Sequence, residues 1–153
     1  MLQRVKPLLN AGTLRNMDFY PSHTWISDTG GRLYWLQHGV KHAIANGQNL
    51  DQSIHHTRLS VMDMVQIPTG PELPTSEMNR SPQGLSRGGV IRDSRGTLYQ
   101  IDRGKRREML SHYTCEAWGL HITEVLESER SEVMQLPTGL PILPPPRLLS
   151  DDL

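Results

Sequence analysis

The sequence predicts a mainly β protein: two tandem, pseudo-equivalent β-meander modules with short helical turns and extended terminal arms. Three observations predict it. Residues 25–46, WISDTGGRLYWLQHGVKHAIAN, align without a gap on residues 90–111, VIRDSRGTLYQIDRGKRREMLS, at an offset of 65. Ile26, Asp28, Gly31, Leu33, Tyr34 and Gly39 thereby fall on Ile91, Asp93, Gly96, Leu98, Tyr99 and Gly104. A second echo follows each copy, Gln66-Ile67-Pro68-Thr69-Gly70 answering Gln135-Leu136-Pro137-Thr138-Gly139 at an offset of 69. Finally, Asp and Gly punctuate both copies at the same places, where tight hairpins need left-handed backbone. A repeat of this kind outranks local propensity, because it sets the unit from which the fold is built.

Each copy reads as strand, turn, strand, turn, strand. In the first the strands cover 25–27, 32–36 and 40–44, with turns at Asp28-Thr29-Gly30-Gly31 and Gln37-His38-Gly39. In the second they cover 89–92, 97–101 and 105–109, with turns at Asp93-Ser94-Arg95-Gly96 and Asp102-Arg103-Gly104. Leu, Tyr and Ile in the central strands suit a pleated, half-buried surface. Beyond the meander, residues 112–119 predict one or two helical turns stopped by Gly119, with 47–54 as their counterpart. Residues 59–65 and 123–134 are mixed stretches that close on the shared Pro-Thr-Gly, read as a turn. The glutamates of the second stretch fit a helix and a solvated strand equally.

The organisation expected is an N-terminal arm over 1–20, repeat 1 over 21–75, a linker over 76–88, repeat 2 over 89–140 and a Pro-rich arm over 141–153. Phe19 and Tyr20 are expected to dock the first arm onto repeat 1. The last arm, with Pro141, Ile142, Leu143, Pro144, Leu148 and Leu149, is expected to be extended polyproline II rather than folded core. Its apolar side chains exceed what a free tail needs, so it is read as an assembly arm.

Each repeat, at roughly 55 residues, is near the smallest size that buries enough surface to fold alone. The copies are therefore expected to lean on each other or on partner chains. Lys plus Arg number 16 and Asp plus Glu number 16, so bulk charge does not argue for nucleic acid or a membrane surface. Cys115 is the single cysteine, which excludes an internal disulfide framework. No stretch approaches the ~18 apolar residues of a membrane span, and no signal peptide is read.

The candidate chemistry is sparse. His38 and His42 are separated by a turn at Gly39, and the second copy has Arg103 and Arg107 in their place, so a metal reading is set aside. Cys115 near His112 and His121 is read as a buried small side chain rather than a nucleophile. Asp28 and Asp93 recur where hairpin geometry calls for Asp. No catalytic residues, metal or cofactor are expected. The basic hairpin holds more interest. Arg92, Arg95, Arg103, Lys105, Arg106 and Arg107 crowd it, as a grip for an anion or acidic partner or as a solvated edge. The acidic stretch from Glu116 to Glu132 is a candidate mate. Trp35 lies opposite Tyr34 on its strand and is matched by Gln100, which makes it the candidate exposed ring for glycan stacking.

Leu98-Tyr99 through Arg107, LYQIDRGKRREM with LPTG after it, and the looser first copy, LYWLQHGVKHAI with IPTG, resemble a short hairpin repeat of bacterial surface-associated and phage-encoded proteins. The resemblance implies a non-catalytic module. The function expected is thus a non-enzymatic structural subunit of a large assembly in a phage virion, of tail, baseplate or capsid-decoration type. It would be a homo- or hetero-oligomer joined by arm exchange. The alternative is a cell-wall or host-surface glycan-binding module at the cell surface or in the cytoplasm.

Overall fold

The computed structural model describes residues 16–45, 55–74, 89–120 and 125–146. It is β-rich, with two four-stranded sheets and, among the described residues, three short α-helices. The first sheet holds β1 (Thr24–Ser27), β2 (Leu33–Gln37), β3 (Val40–Ala43) and β4 (Thr57–Arg58) in the order β3-β2-β1-β4. The second holds β5 (Val90–Arg92), β6 (Leu98–Asp102), β7 (Lys105–Met109) and β8 (Val125–Glu127) in the order β7-β6-β5-β8. In both, the three meander strands are antiparallel and the last strand returns parallel to the first. Helices α1 (Val61–Gln66) and α3 (Arg130–Val133) follow β4 and β8, and α2 (His112–Ala117) follows β7.

The turns form for the reasons their residues suggest. Asp28 Oδ1 accepts from the amides of Gly30 and Arg32 at 2.9 Å, and Asp93 Oδ1 from those of Arg95 and Thr97 at 2.9 and 3.0 Å. Each carboxylate thus closes its own loop. At the second turn, His38 and Gly39 have φ of 53° and 77°, and Arg103 and Gly104 have 53° and 76°. Two successive positive φ values match the twist of a two-residue hairpin.

The Pro-Thr-Gly echo is not the turn expected of it. Thr69 and Leu73 bridge Lys41 and Ile44 in parallel, and Thr138 and Ile142 bridge Arg106 and Met109. The segment therefore extends each sheet beyond β3 or β7. Its glycine answers to space rather than to φ. A Cβ on Gly70 would lie 2.6 Å from Val40 Cγ1, and one on Gly139 3.0 Å from Arg107 Cγ. The stretch over 123–134, open between strand and helix, resolves into both, β8 and then α3.

Helix ends are closed by side chains. Ser60 Oγ accepts from Asp63 N at 3.1 Å and Ser111 Oγ from Thr114 N at 3.2 Å, satisfying first-turn amides of α1 and α2. Gly119, at φ 78°, ends α2 as expected. At the far end of α1, Lys41 Nζ donates to the carbonyls of Met64 and Ile67. At that of α3, Arg106 Nη1 donates to those of Met134 and Leu136. A cation here meets both the last carbonyls and the negative pole of the helix.

One hydrophobic core joins both sheets. Ile26, Leu36, Leu59 and Ile67 of the first half pack with Val90, Leu98, Met109, Trp118 and Ile142 of the second. Tyr20 enters this core and stacks on Trp118 at 5.1 Å between ring centroids, so the leading segment docks on the second half as well as the first. A smaller cluster of Leu33, Trp35 and Ile44 with Trp25 and Leu73 covers the opposite face of the first sheet, as strand alternation requires.

The C-terminal segment also departs from expectation. Ile142 is fully buried in the core rather than displayed on an arm. Leu143 donates its amide to Phe19 O at 3.0 Å and accepts from Trp118 Nε1 at 2.7 Å. Pro141 to Pro144 thus lie on their own chain, because parallel pairing with β7 carries Ile142 into the shared core. Leu148 and Leu149 lie outside the described residues, as do positions 1–15, 47–54 and the linker at 76–88.

Because the core is common, the two sheets should unfold in one transition. Hydrogen exchange of β1–β3 and β5–β7 amides should report the same global opening free energy. Trp118→Phe, which removes the indole N–H from part-buried Leu143 O, should lower both together by about 1–3 kcal/mol.

Candidate functional site

The basic hairpin does not present one continuous charged face. Strand alternation places Lys105 and Arg107 on one side of β7, as expected, but the Arg107 side chain is only 8% exposed. Its Nη1 donates to Asp102 Oδ2 at 3.0 Å, its Nη2 to Asp18 O at 3.0 Å and its Nε to Leu140 O at 2.8 Å. Arg106 is occupied at the end of α3. Arg92 reaches across the sheet to Glu127, 2.7 Å away and on the acidic stretch named as a candidate mate. Both partners are exposed, so this pair adds little stability. Arg95, Arg103 and Lys105 keep exposed side chains.

Trp35 is a correction. It is 6% exposed, meets Trp25 edge-on at 5.0 Å and donates Nε1–H to Gln37 Oε1 at 2.9 Å. The face opposite Tyr34 is covered by the second apolar cluster, so the ring offers no platform for a glycan. Cys115 is buried, and burial followed by the nearby Glu116 charge pushes its thiol pKa up. Such a thiol is inert rather than nucleophilic.

The structure gathers its polar side chains elsewhere, at the junction of the two sheets. Asp102, at the end of β6, has a carboxylate that is 1% exposed. Its Oδ2 accepts from Ser22 Oγ at 2.8 Å and from Arg107 Nη1, and its Oδ1 accepts from His38 Nδ1 at 3.0 Å. The Arg103 guanidinium stands 3.6 Å off. Ser22 also exchanges backbone hydrogen bonds with the buried Gln100 amide, donating its N–H to Oε1 at 2.9 Å and accepting from Nε2 at 2.7 Å. A few residues away the end of α2 is held by the first sheet, Thr24 Oγ1 donating to Trp118 O at 2.7 Å and Thr57 Oγ1 to Ala117 O at 3.3 Å.

Burial alone would raise the Asp102 pKa. The Ser22 hydroxyl, the Arg103 and Arg107 charges and His38 outweigh it and hold the carboxyl below its usual value. Asp93 is likewise buried yet held low, by the amides of Thr97 and Arg95, by Tyr99 Oη at 3.1 Å and by Arg130 Nη1 at 2.9 Å. Ser22, Gln100 and Asp102 were not singled out in the sequence as a junction. A signal exists for one of them. Gln100 stands opposite Trp35 under the 65-residue offset, so polarity enters the second copy where the first keeps an apolar ring, whereas Asp102 answers the already polar Gln37. Ser22 lies outside the repeat and carries no such mark.

Beside this junction, Arg103, Lys105 and Arg107 line a cleft of 280 Å³ with Asp18, Asp102 and Gly139. Among the described residues no three His, Cys, Asp or Glu side chains converge as a metal ion would require. No helix among them is long and apolar enough to cross a membrane. No protein-family model matches the chain, and no curated protein matches it.

Asp102 and Asp93 make acid the weak side of this fold. Their folded pKa values are depressed, so the stability they contribute is full above the ordinary carboxylate value of about 3.9 and is lost as pH falls through the folded values. Denaturation midpoints should hold from neutral pH down to about pH 5 in respect of these groups and then drop. Asp102→Asn should lower stability at neutral pH by about 3 kcal/mol, since Arg107 is left buried without its counter-charge, and should flatten the acid limb.

Proposed function

We propose that this chain is a non-enzymatic structural subunit, made of two pseudo-equivalent copies of one small β unit, that builds a larger assembly of the kind found in phage virions. One observation carries the reading. Helix α1 turns Val61, Met62 and Val65 outward, with exposures of 60, 68 and 73%. Their spacing puts all three on one side of a helix whose inner side buries Met64. Contiguous apolar surface of this kind marks a contact with another protein. What supports the duplication is the shared strand order and register of the two sheets. What supports tail, baseplate or capsid decoration as the setting is the hairpin resemblance alone.

The mechanism of assembly shifts accordingly. Arm exchange through residues 141–144 is unsuited, since Ile142 and Leu143 are engaged within their own chain. Copies of the chain meet instead through the α1 face. The glycan-binding alternative drew on Trp35 and the Arg103–Arg107 hairpin, and loses its stacking ring with the burial of Trp35.

Light scattering on the purified chain should report an oligomer that dissociates with the double substitution Met62→Glu and Val65→Glu, while circular dichroism stays unchanged because both sites are exposed. A wild-type chain that stays monomeric across the micromolar to millimolar range counts against the proposal, as does a variant that associates as before.

A further inference from the structure

The cleft beside Asp102 has a counterpart. Gln37, His38, Val40 and His42 line a cleft of 610 Å³ beside Gly70 and Pro71 of the first half. Asp102, Arg103, Lys105 and Arg107, each 65 residues further on, line the 280 Å³ cleft beside Gly139 and Leu140, each 69 residues further on. Both depressions therefore lie at the same place in their sheets, between the second hairpin turn and the segment that extends the sheet. The floor is built alike too. His42 Nδ1 donates to Pro71 O at 2.8 Å, and Arg107 Nε donates to Leu140 O at 2.8 Å. The second cleft also takes in Asp18, Tyr20 and Gly39, and at the shared positions the chemistry of the walls differs. A glutamine, two histidines and a valine in one are an aspartate, two arginines and a lysine in the other.

From this we infer that the second cleft is an oxyanion-binding site, independent of the assembly reading. Its charge is unbalanced. Arg103, Lys105 and Arg107 face Asp102 and Asp18, which leaves one positive charge in excess. Asp102 already accepts from Ser22, His38 and Arg107 on its two oxygens. Of the five N–H donors of Arg107 three are committed among the described residues, leaving one on each terminal nitrogen. That guanidinium is held rigid and nearly buried, so its remaining donors are oriented at little entropic cost. Lys105 has no partner among the described residues, and the Arg103 side chain is 59% exposed at the cleft rim. A fixed fork with two exposed cations above it, one of them 3.6 Å from Asp102, suits a singly charged oxyanion, a carboxylate or a phosphate group.

The test is a titration of the full chain with sodium acetate and, separately, sodium phosphate, at constant ionic strength balanced with chloride and followed by amide and guanidinium N–H shifts. Saturable shifts should gather at Arg103, Gly104, Arg107 and Gly139, with His42 of the first cleft unmoved. Acetate acting alone identifies a carboxylate as the ligand group, and phosphate acting alone a phosphate. The double substitution Arg103→Gln and Lys105→Gln, at two exposed sites, should weaken binding by about tenfold or more, with signals away from the Asp102 junction as in the wild type. The inference is overturned if neither anion gives saturable shifts, if the variant responds as the wild type does, or if the shifts spread over all exposed cations.

Discussion

A carboxylate at 1% exposure survives as a charge only where every lone pair is answered, and Asp102 is answered from four directions. Ser22 comes from the segment leading into the first sheet, His38 from the β2–β3 turn, Arg107 from β7 and Arg103 from its own turn. Arg107 then carries the link onward to Asp18 O and Leu140 O, so the leading and closing segments meet at the same point. The apolar core brings the two sheets together without direction. This network sets how they sit, because one misplaced donor would leave a buried charge uncompensated.

Around that junction the two halves share an economy of parts. A cation on the third meander strand, Lys41 or Arg106, closes the end of the following short helix. The chain then passes close enough to that strand for only glycine to fit comfortably at 70 and 139. Helices of six and four residues would be marginal alone. They persist because their last carbonyls are bonded and because Met64 and Val133 are buried. At the hairpin tip and the cleft beneath it the halves differ in charge, where nothing in the backbone constrains polarity.

Some of this was legible in the residues and some was not. The Asp and Gly positions announced both turns of each meander, since few residues tolerate those backbone angles. Pro-Thr-Gly stood out correctly, but as a turn. Glycine at a close approach and glycine at positive φ look identical in a sequence. The basic hairpin was legible as charge and illegible as function, because whether a guanidinium meets solvent or a buried carboxylate depends on a partner many residues away. Trp35 failed for a related reason. Strand alternation placed it opposite Tyr34 correctly, but no local pattern reveals that Trp25, Ile44 and Leu73 cover that side.

The sequence by itself determined the local geometry of the meanders: which residues form their three strands, where the chain reverses between them and which positions correspond between the halves. These follow from backbone sterics and short-range hydrogen bonds, which act within a few residues. Tertiary structure alone decided that the two sheets share one core, that Ile142 belongs inside it, and that Ser22, His38, Asp102 and Arg107 form one cluster. Burial and charge compensation are properties of groups brought together from distant positions, and they take effect only once the chain has closed on itself.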